Sequence, residues 1–177
     1  MAVDVRPPAT WQRALLDLLY PPHCVVCDRA GSWWCDACAA RLSPLPSPCC
    51  PRCGRPTARP RLCRRCRTGQ SPLQGLRSLG SYTSTLRLAI HALKYDGVTV
   101  LADPLAAHLA AIWQQNPWPV QVVVPVPLHA SRVHDRGYNQ AELLARAFGA
   151  RVGLPVVCNA LVRQRATRSQ VGLNIAE

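Results

Sequence analysis

Eight cysteines stand in four pairs, each with two residues between its members: Cys24/Cys27, Cys35/Cys38, Cys50/Cys53 and Cys63/Cys66. A two-residue gap lets both thiolates of a pair face one ion. Two such pairs complete a tetrahedral site, with sulfur about 2.3 Å from the metal when the ion is Zn²⁺. Eight thiolates therefore predict two structural zinc sites. With every position taken by thiolate, no opening is left for water or substrate, so these sites hold a fold together and do no catalysis. Spacing alone is compatible with chain-order or interleaved use of the pairs. Redox pairs do not come four in series, and chance pairs so close together are improbable; iron–sulfur or redox chemistry, and cysteines without metal, are the competing readings. Cys49 is a spare beside Cys50, and Cys50 is preferred as ligand because it has the two-residue spacing to Cys53. Cys158, in an apolar stretch, is expected to be a small core residue.

The second set of cysteines is embedded in arginine. Seven arginines lie between Arg52 and Arg67, and residues 37–95 carry ten arginines and Lys94 without one Asp or Glu. The chain as a whole has 21 Lys+Arg against 9 Asp+Glu, a formal net charge of +12. Each zinc with four thiolates adds −2, which brings the metal-loaded chain to about +8. Such a knot of guanidinium suits a phosphate backbone and predicts binding that weakens steeply with salt. Arg61, Arg64 and Arg65 are its candidate contacts. The alternative is that the arginines only offset the thiolate charge and stay solvated.

A second basic cluster follows Val122–Val124 and Pro125-Val126-Pro127. There His129, Arg132, His134 and Arg136 fall within eight residues, Gly137 permits a turn, and Asn139 can cap the next helix. Basic side chains beside a helix N-terminus make an anion site. A solvated basic loop is the plainer reading.

The elements that must position these groups divide the chain in two. Of 17 prolines, 11 lie in residues 1–72, as do nine of the ten cysteines, so this part is poor in regular structure. Thr10 to Tyr20 is the exception and predicts a short helix stopped by Pro21-Pro22. Beyond Leu73 the spacing predicts a strand over 76–83, a helix over 84–95 and a helix from Asp103-Pro104 to about Gln115. It further predicts a buried strand at 122–124, a helix opened by an Asn139–Glu142 capping box with Leu143, Leu144, Ala147 and Phe148 inward, and a strand at 155–158. Alternating strand and helix predicts an α/β layer with a largely parallel sheet. The expected domains are an N-terminal helix (1–21), a double zinc ribbon (22–70) and an α/β domain (71–177). Beyond the cysteine pairs, no repeat of 20–50 residues is apparent.

A length of 177 residues with 49% apolar content supports a real core and excludes wholesale disorder. No run approaches 18 apolar residues, so no membrane span is expected. The N-terminus shows no secretory signal, and ten cysteines in such a chain point to a reducing compartment, the cytoplasm.

The order of cysteine pairs, followed by IHALKYDG, PVPLHASRVHDRGYNQAELLA and RQRATRSQVGLNIAE, closely resembles the ComF family over roughly residues 14–177. These are double-zinc-ribbon, phosphoribosyltransferase-like proteins associated with natural competence and DNA uptake. The resemblance implies a type I phosphoribosyltransferase-like domain after the zinc region, here expected as a partial parallel sheet with flanking helices. Lys94-Tyr95 match the family's KY, Pro125–Leu128 its PVPL turn, Arg136–Gln140 its RG(F/Y)NQ stretch, and Arg163, Thr167 and Gln170 its R…T…Q stretch. By this resemblance Lys94, Tyr95, Arg132, Arg136, Asn139 and Gln140 are candidate phosphate or nucleic-acid contacts. The sequence departs from the family in carrying no adjacent pair of acidic residues. The family's phosphoribosyl pyrophosphate motif, two adjacent acids and a Thr/Gly-rich loop, is thus not present. Mg²⁺ and phosphoribosyl pyrophosphate are expected only for a longer, active parent, and catalysis is not expected of these 177 residues.

Three functions follow as expectations. The leading one is a ComF-like competence protein handling single-stranded DNA; the others are a phosphoribosyltransferase with an unidentified acceptor, and a zinc-ribbon module docking on a protein such as a competence helicase.

Overall fold

The structure is a computed structural model that describes residues 21–45, 47–69, 73–115 and 117–167. The helix expected at 10–20 lies outside these residues. The chain forms two compact units, residues 1–90 and 91–177. Among the described residues, no helix is long and apolar enough to cross a membrane.

The first unit is built from one small motif used twice. Cys24 N–H donates to Arg29 O at 2.9 Å, Asp28 N–H to Cys24 O at 2.8 Å and Gly31 N–H to Pro22 O at 2.8 Å. Twenty-six positions later the same three bonds recur: Cys50 to Arg55 at 2.8 Å, Gly54 to Cys50 at 2.9 Å and Thr57 to Pro48 at 3.0 Å. An antiparallel bridge closes each turn, His23 with Ala30 and Cys49 with Pro56. The turn residue is left-handed in both copies, Asp28 at φ 60° and Gly54 at φ 69°. Each copy then ends in a short helix whose preceding residue is a cysteine: α1 (Asp36–Ala39) after Cys35 and α2 (Arg64–Thr68) after Cys63. The repeat is thus structural as well as a spacing of cysteines.

Residues 76–83 are not a strand. Ser81 N–H donates to Ser43 O at 2.9 Å, and a Cβ at Gly80 would stand 2.5 Å from that same oxygen. Close backbone approach at a glycine replaces the expected ladder. Helix α3 follows over Ser84–Tyr95, the span the periodicity predicts, and buries Thr85, Leu86, Ala89, Ala92 and Leu93.

In the second unit a 3₁₀ turn (Thr99–Leu101) leads into α4 (Ala102–Gln115), and α4 packs on α6 (Gln140–Val152). Leu101, Ala102, Leu105, Ala106 and Ala110 are buried on one side, Ala145 and Gly149 on the other. The expected inward residues Leu143, Leu144, Ala147 and Phe148 are only half-buried. Small side chains bring the helix axes close, and the larger ones sit at the flanks, where Phe148 meets Trp113 edge-on with centroids 5.9 Å apart. Between them in the chain comes α5 (Ala130–Arg136), capped by His129 and ended by Gly137 at φ 84°.

No parallel sheet forms among the described residues. Among the described residues there is no strand, only isolated bridges, and the partial phosphoribosyltransferase-like α/β sheet expected for 71–177 is corrected to a helical unit. The reason lies in the prolines. Val123 pairs with Val156 in parallel fashion, through Val123 N–H to Pro155 O at 2.9 Å and Val157 N–H to Val123 O at 3.0 Å. The next ladder bond on one side would need the N–H of residue 125, and on the other the N–H of residue 155. Both are proline, so the ladder ends after one pair.

Candidate metal centres and a basic pocket

The eight cysteines gather in chain order: Cys24, Cys27, Cys35 and Cys38 in one cluster, Cys50, Cys53, Cys63 and Cys66 in the other, with all sulfurs of a cluster within 4.8 Å of one another. In each, the first and last cysteines are buried and the middle two are partly open. Tetrahedral geometry with bonds of about 2.3 Å places sulfurs roughly 3.8 Å apart. Cys27 and Cys35 stand at 3.7 Å, as do Cys53 and Cys63. The two four-cysteine sites are thus consistent with two structural zinc ions. The repeat register places Cys49 where the first copy has His23, in the bridge and one position before the ligand.

The thiols of each cluster are electrostatically unequal. Burial pushes Cys24 up, but amides of Cys35, Cys27 and Val26 directed at its sulfur outweigh it and bring it down to about 6. Cys50 is brought down to about 6, chiefly by the Cys63 amide, 3.4 Å from its sulfur. Cys63 is lowered mainly by the Cys66 amide. Burial, then bonds to its fellow thiols, drives Cys38 up to about 12, and Cys66 reaches about 12 through its bond to Cys53 and through burial. Directed N–H groups at a cysteine sulfur are the general device for holding a thiolate before a metal arrives.

Charge separates the two copies. Residues 21–42 hold Arg29 and Arg41 against Asp28 and Asp36, whereas residues 47–69 hold seven arginines and no acid. At matching positions Val26 becomes Arg52, Asp36 becomes Arg64, Ala37 becomes Arg65 and Ala39 becomes Arg67. Arg52 is structural, donating to Cys66 O at 3.0 Å. Arg61, Arg64 and Arg65 are exposed and make no ion pair among the described residues.

In the second unit a pocket of about 430 Å³ is lined by Lys94, Tyr95, Gly97, Arg132, Asp135, Arg136 and Tyr138. It joins the end of α3 to α5 and the turn after it. Tyr138, its hydroxyl held protonated by burial, donates to Leu93 O at 2.5 Å and ties the two walls. Arg132 donates to Thr167 O at 2.9 Å, and the Arg136 guanidinium carbon stands 5.3 Å from the centre of the Tyr95 ring.

Of the candidate contacts, Lys94, Tyr95, Arg132 and Arg136 line this pocket; Asn139 and Gln140 are used locally. The Asn139 side chain accepts from Ala141 N–H at 3.0 Å and donates to Val126 O at 3.1 Å, and Gln140 accepts from Arg136. Glu142 does not complete a capping box: its carboxylate takes Arg146 at 2.7 Å. Cys158 is half-buried, at a groove beside Asn139 and Leu143, and burial raises its thiol. Sequence reasoning missed Tyr138 and Asp135 in the pocket wall, though both lie within the stretch that carries the basic cluster.

A match to the double zinc ribbon domain covers residues 15–67. The chain is 34% identical over 163 residues to the DNA utilization protein YhgH of Salmonella typhimurium, covering 86% of this chain and 71% of that protein. It is 28% identical over 162 residues to the YhgH of Escherichia coli K12, with the same coverage. The competence protein ComFC of Bacillus subtilis is 27% identical over 121 residues, 64% of this chain and 50% of that protein. No solved structure matches the chain. Two four-cysteine modules in chain order, with relatives a third identical over most of both lengths, lead to one conclusion: the chain belongs to the ComF family.

Proposed function

We propose that this chain handles single-stranded DNA in the cytoplasm, holding its phosphates with the exposed arginines of the second metal module and with the Lys94–Arg136 pocket. The observation that carries the reading is the unequal charge of two otherwise matching modules. If the arginines served to offset four thiolates and a zinc ion, the first module would need them equally, yet its two arginines are matched by two acids. The excess in the second copy is therefore available to an outside polyanion. The relatives, a DNA utilization protein and a competence protein, favour DNA as the partner. The cytoplasmic location rests on ten cysteines outside disulfides.

Anisotropy titrations of a labelled oligothymidylate over a range of salt test this. Each phosphate contact adds about 0.7 to the log–log salt slope for a single strand. Arg61→Gln, Arg64→Gln and Arg65→Gln combined should lower the slope by up to about 2. A slope identical to the wild type would show these arginines to be solvated bystanders.

A further inference from the structure

Phosphate binding alone leaves one feature of the pocket unused, the ring of Tyr95. It ends α3 and is 56% exposed, beside Lys94 and two arginines. It is also held still. His91, one turn earlier, packs against it with ring centroids 4.8 Å apart at 47°, and is itself 3.4 Å from the Asp96 carboxylate. Arg136 approaches the ring to 5.3 Å and is fixed by Gln140. A braced, open aromatic ring among cations is the arrangement that binds bases and backbone of an unpaired strand together.

We propose that the pocket receives one unpaired nucleotide, its base stacked on Tyr95 and its flanking phosphates against Lys94, Arg132 and Arg136. This deepens the single-stranded DNA reading and rests on it. The volume of about 430 Å³ lies in the range that small ligands fill, about 300–1,000 Å³. Arg132 spends one N–H on Thr167 O, and a guanidinium has others for a phosphate. Asp135, on the same wall, repels phosphate from its side and so biases which way the strand lies. Single-strand preference follows directly. In the interior of a duplex both faces of each base are covered by neighbours, so along a strand Tyr95 is within reach only of a base outside a stack.

The test compares oligothymidylate with an abasic backbone of the same length and charge, about twelve units long, within the span such sites occupy. The wild-type chain should bind the base-bearing strand about tenfold tighter or more, the scale of a single base–aromatic stack. Tyr95→Leu should abolish that preference while leaving the salt slope unchanged, and Tyr95→Phe should retain it. Zinc content and melting temperature of each variant establish that it is folded. Equal binding of both strands by the wild type overturns the inference while leaving DNA binding intact, as does a preference that survives Tyr95→Leu. Absence of binding to either strand at low salt overturns the DNA reading itself, and this inference with it.

Discussion

Cys38 and Cys66 hold their protons up to about 12, whereas Cys24 and Cys50 give theirs up at about 6. Between those limits an empty site has a thiolate ready at Cys24 or Cys50, and a proton on Cys38 or Cys66 that zinc must expel. Zinc affinity should therefore rise about tenfold per pH unit for each proton displaced at neutral pH, and fall more steeply once acid reaches the second pair. Competition against a chromophoric chelator across neutral pH measures this, and a pH-independent affinity would contradict it. The eight sulfur positions were legible because ligand spacing is a local property. Cys50 was separable from Cys49 on the same ground. The polar contacts were less legible. Asn139 and Gln140 share a stretch with Arg136, but whether an amide faces outward depends on what surrounds it, here Ala141 N–H, Val126 O and the Arg136 guanidinium. Arg52 is the same lesson, one arginine of seven turned inward to a carbonyl.

The long helices were legible at the scale of elements, since a 3.6-residue pattern needs no distant partner; α3 spans Ser84–Tyr95 as its periodicity predicts, whereas α5, in a stretch read as a basic loop, and the short α1 and α2 were not. Strands were not. A valine run reads as a strand only if the next ladder bonds exist, and Pro125 and Pro155 remove the two N–H groups on either side of the Val123–Val156 pair. Packing of α6 yields a prediction that reverses helix propensity. Alanine in place of glycine within a helix ordinarily stabilises by about 1 kcal/mol. At Gly149 a Cβ would meet Val156 Cγ2 at 2.5 Å and Leu154 O at 2.7 Å, and the backbone oxygen has little room to yield. Gly149→Ala should instead cost on the order of 1–3 kcal/mol, seen as a fall of several degrees in the thermal midpoint. A higher midpoint would mean that the turn after α6 is softer than its contacts indicate.

Taken whole, the molecule is two units stabilised by different means. Residues 21–69 have short helices, few apolar side chains and cysteine as much of their buried apolar surface, so metal supplies what a core would. The second unit buries leucine and alanine between α4 and α6. A chelator should therefore strip hydrogen-exchange protection from residues 21–69 while the amides of α4 and α6 stay protected; loss of both together would show that one unit depends on the other. The chain-order grouping of the ligands has a further consequence. The first site closes over the 15 residues from Cys24 to Cys38, the second over the 17 from Cys50 to Cys66, and no loop of one encloses a ligand of the other. Such short closures are entropically cheap. During synthesis the first ion can be captured while Cys50 is still inside the ribosome, so the order of translation itself keeps the wrong cysteines from sharing a metal.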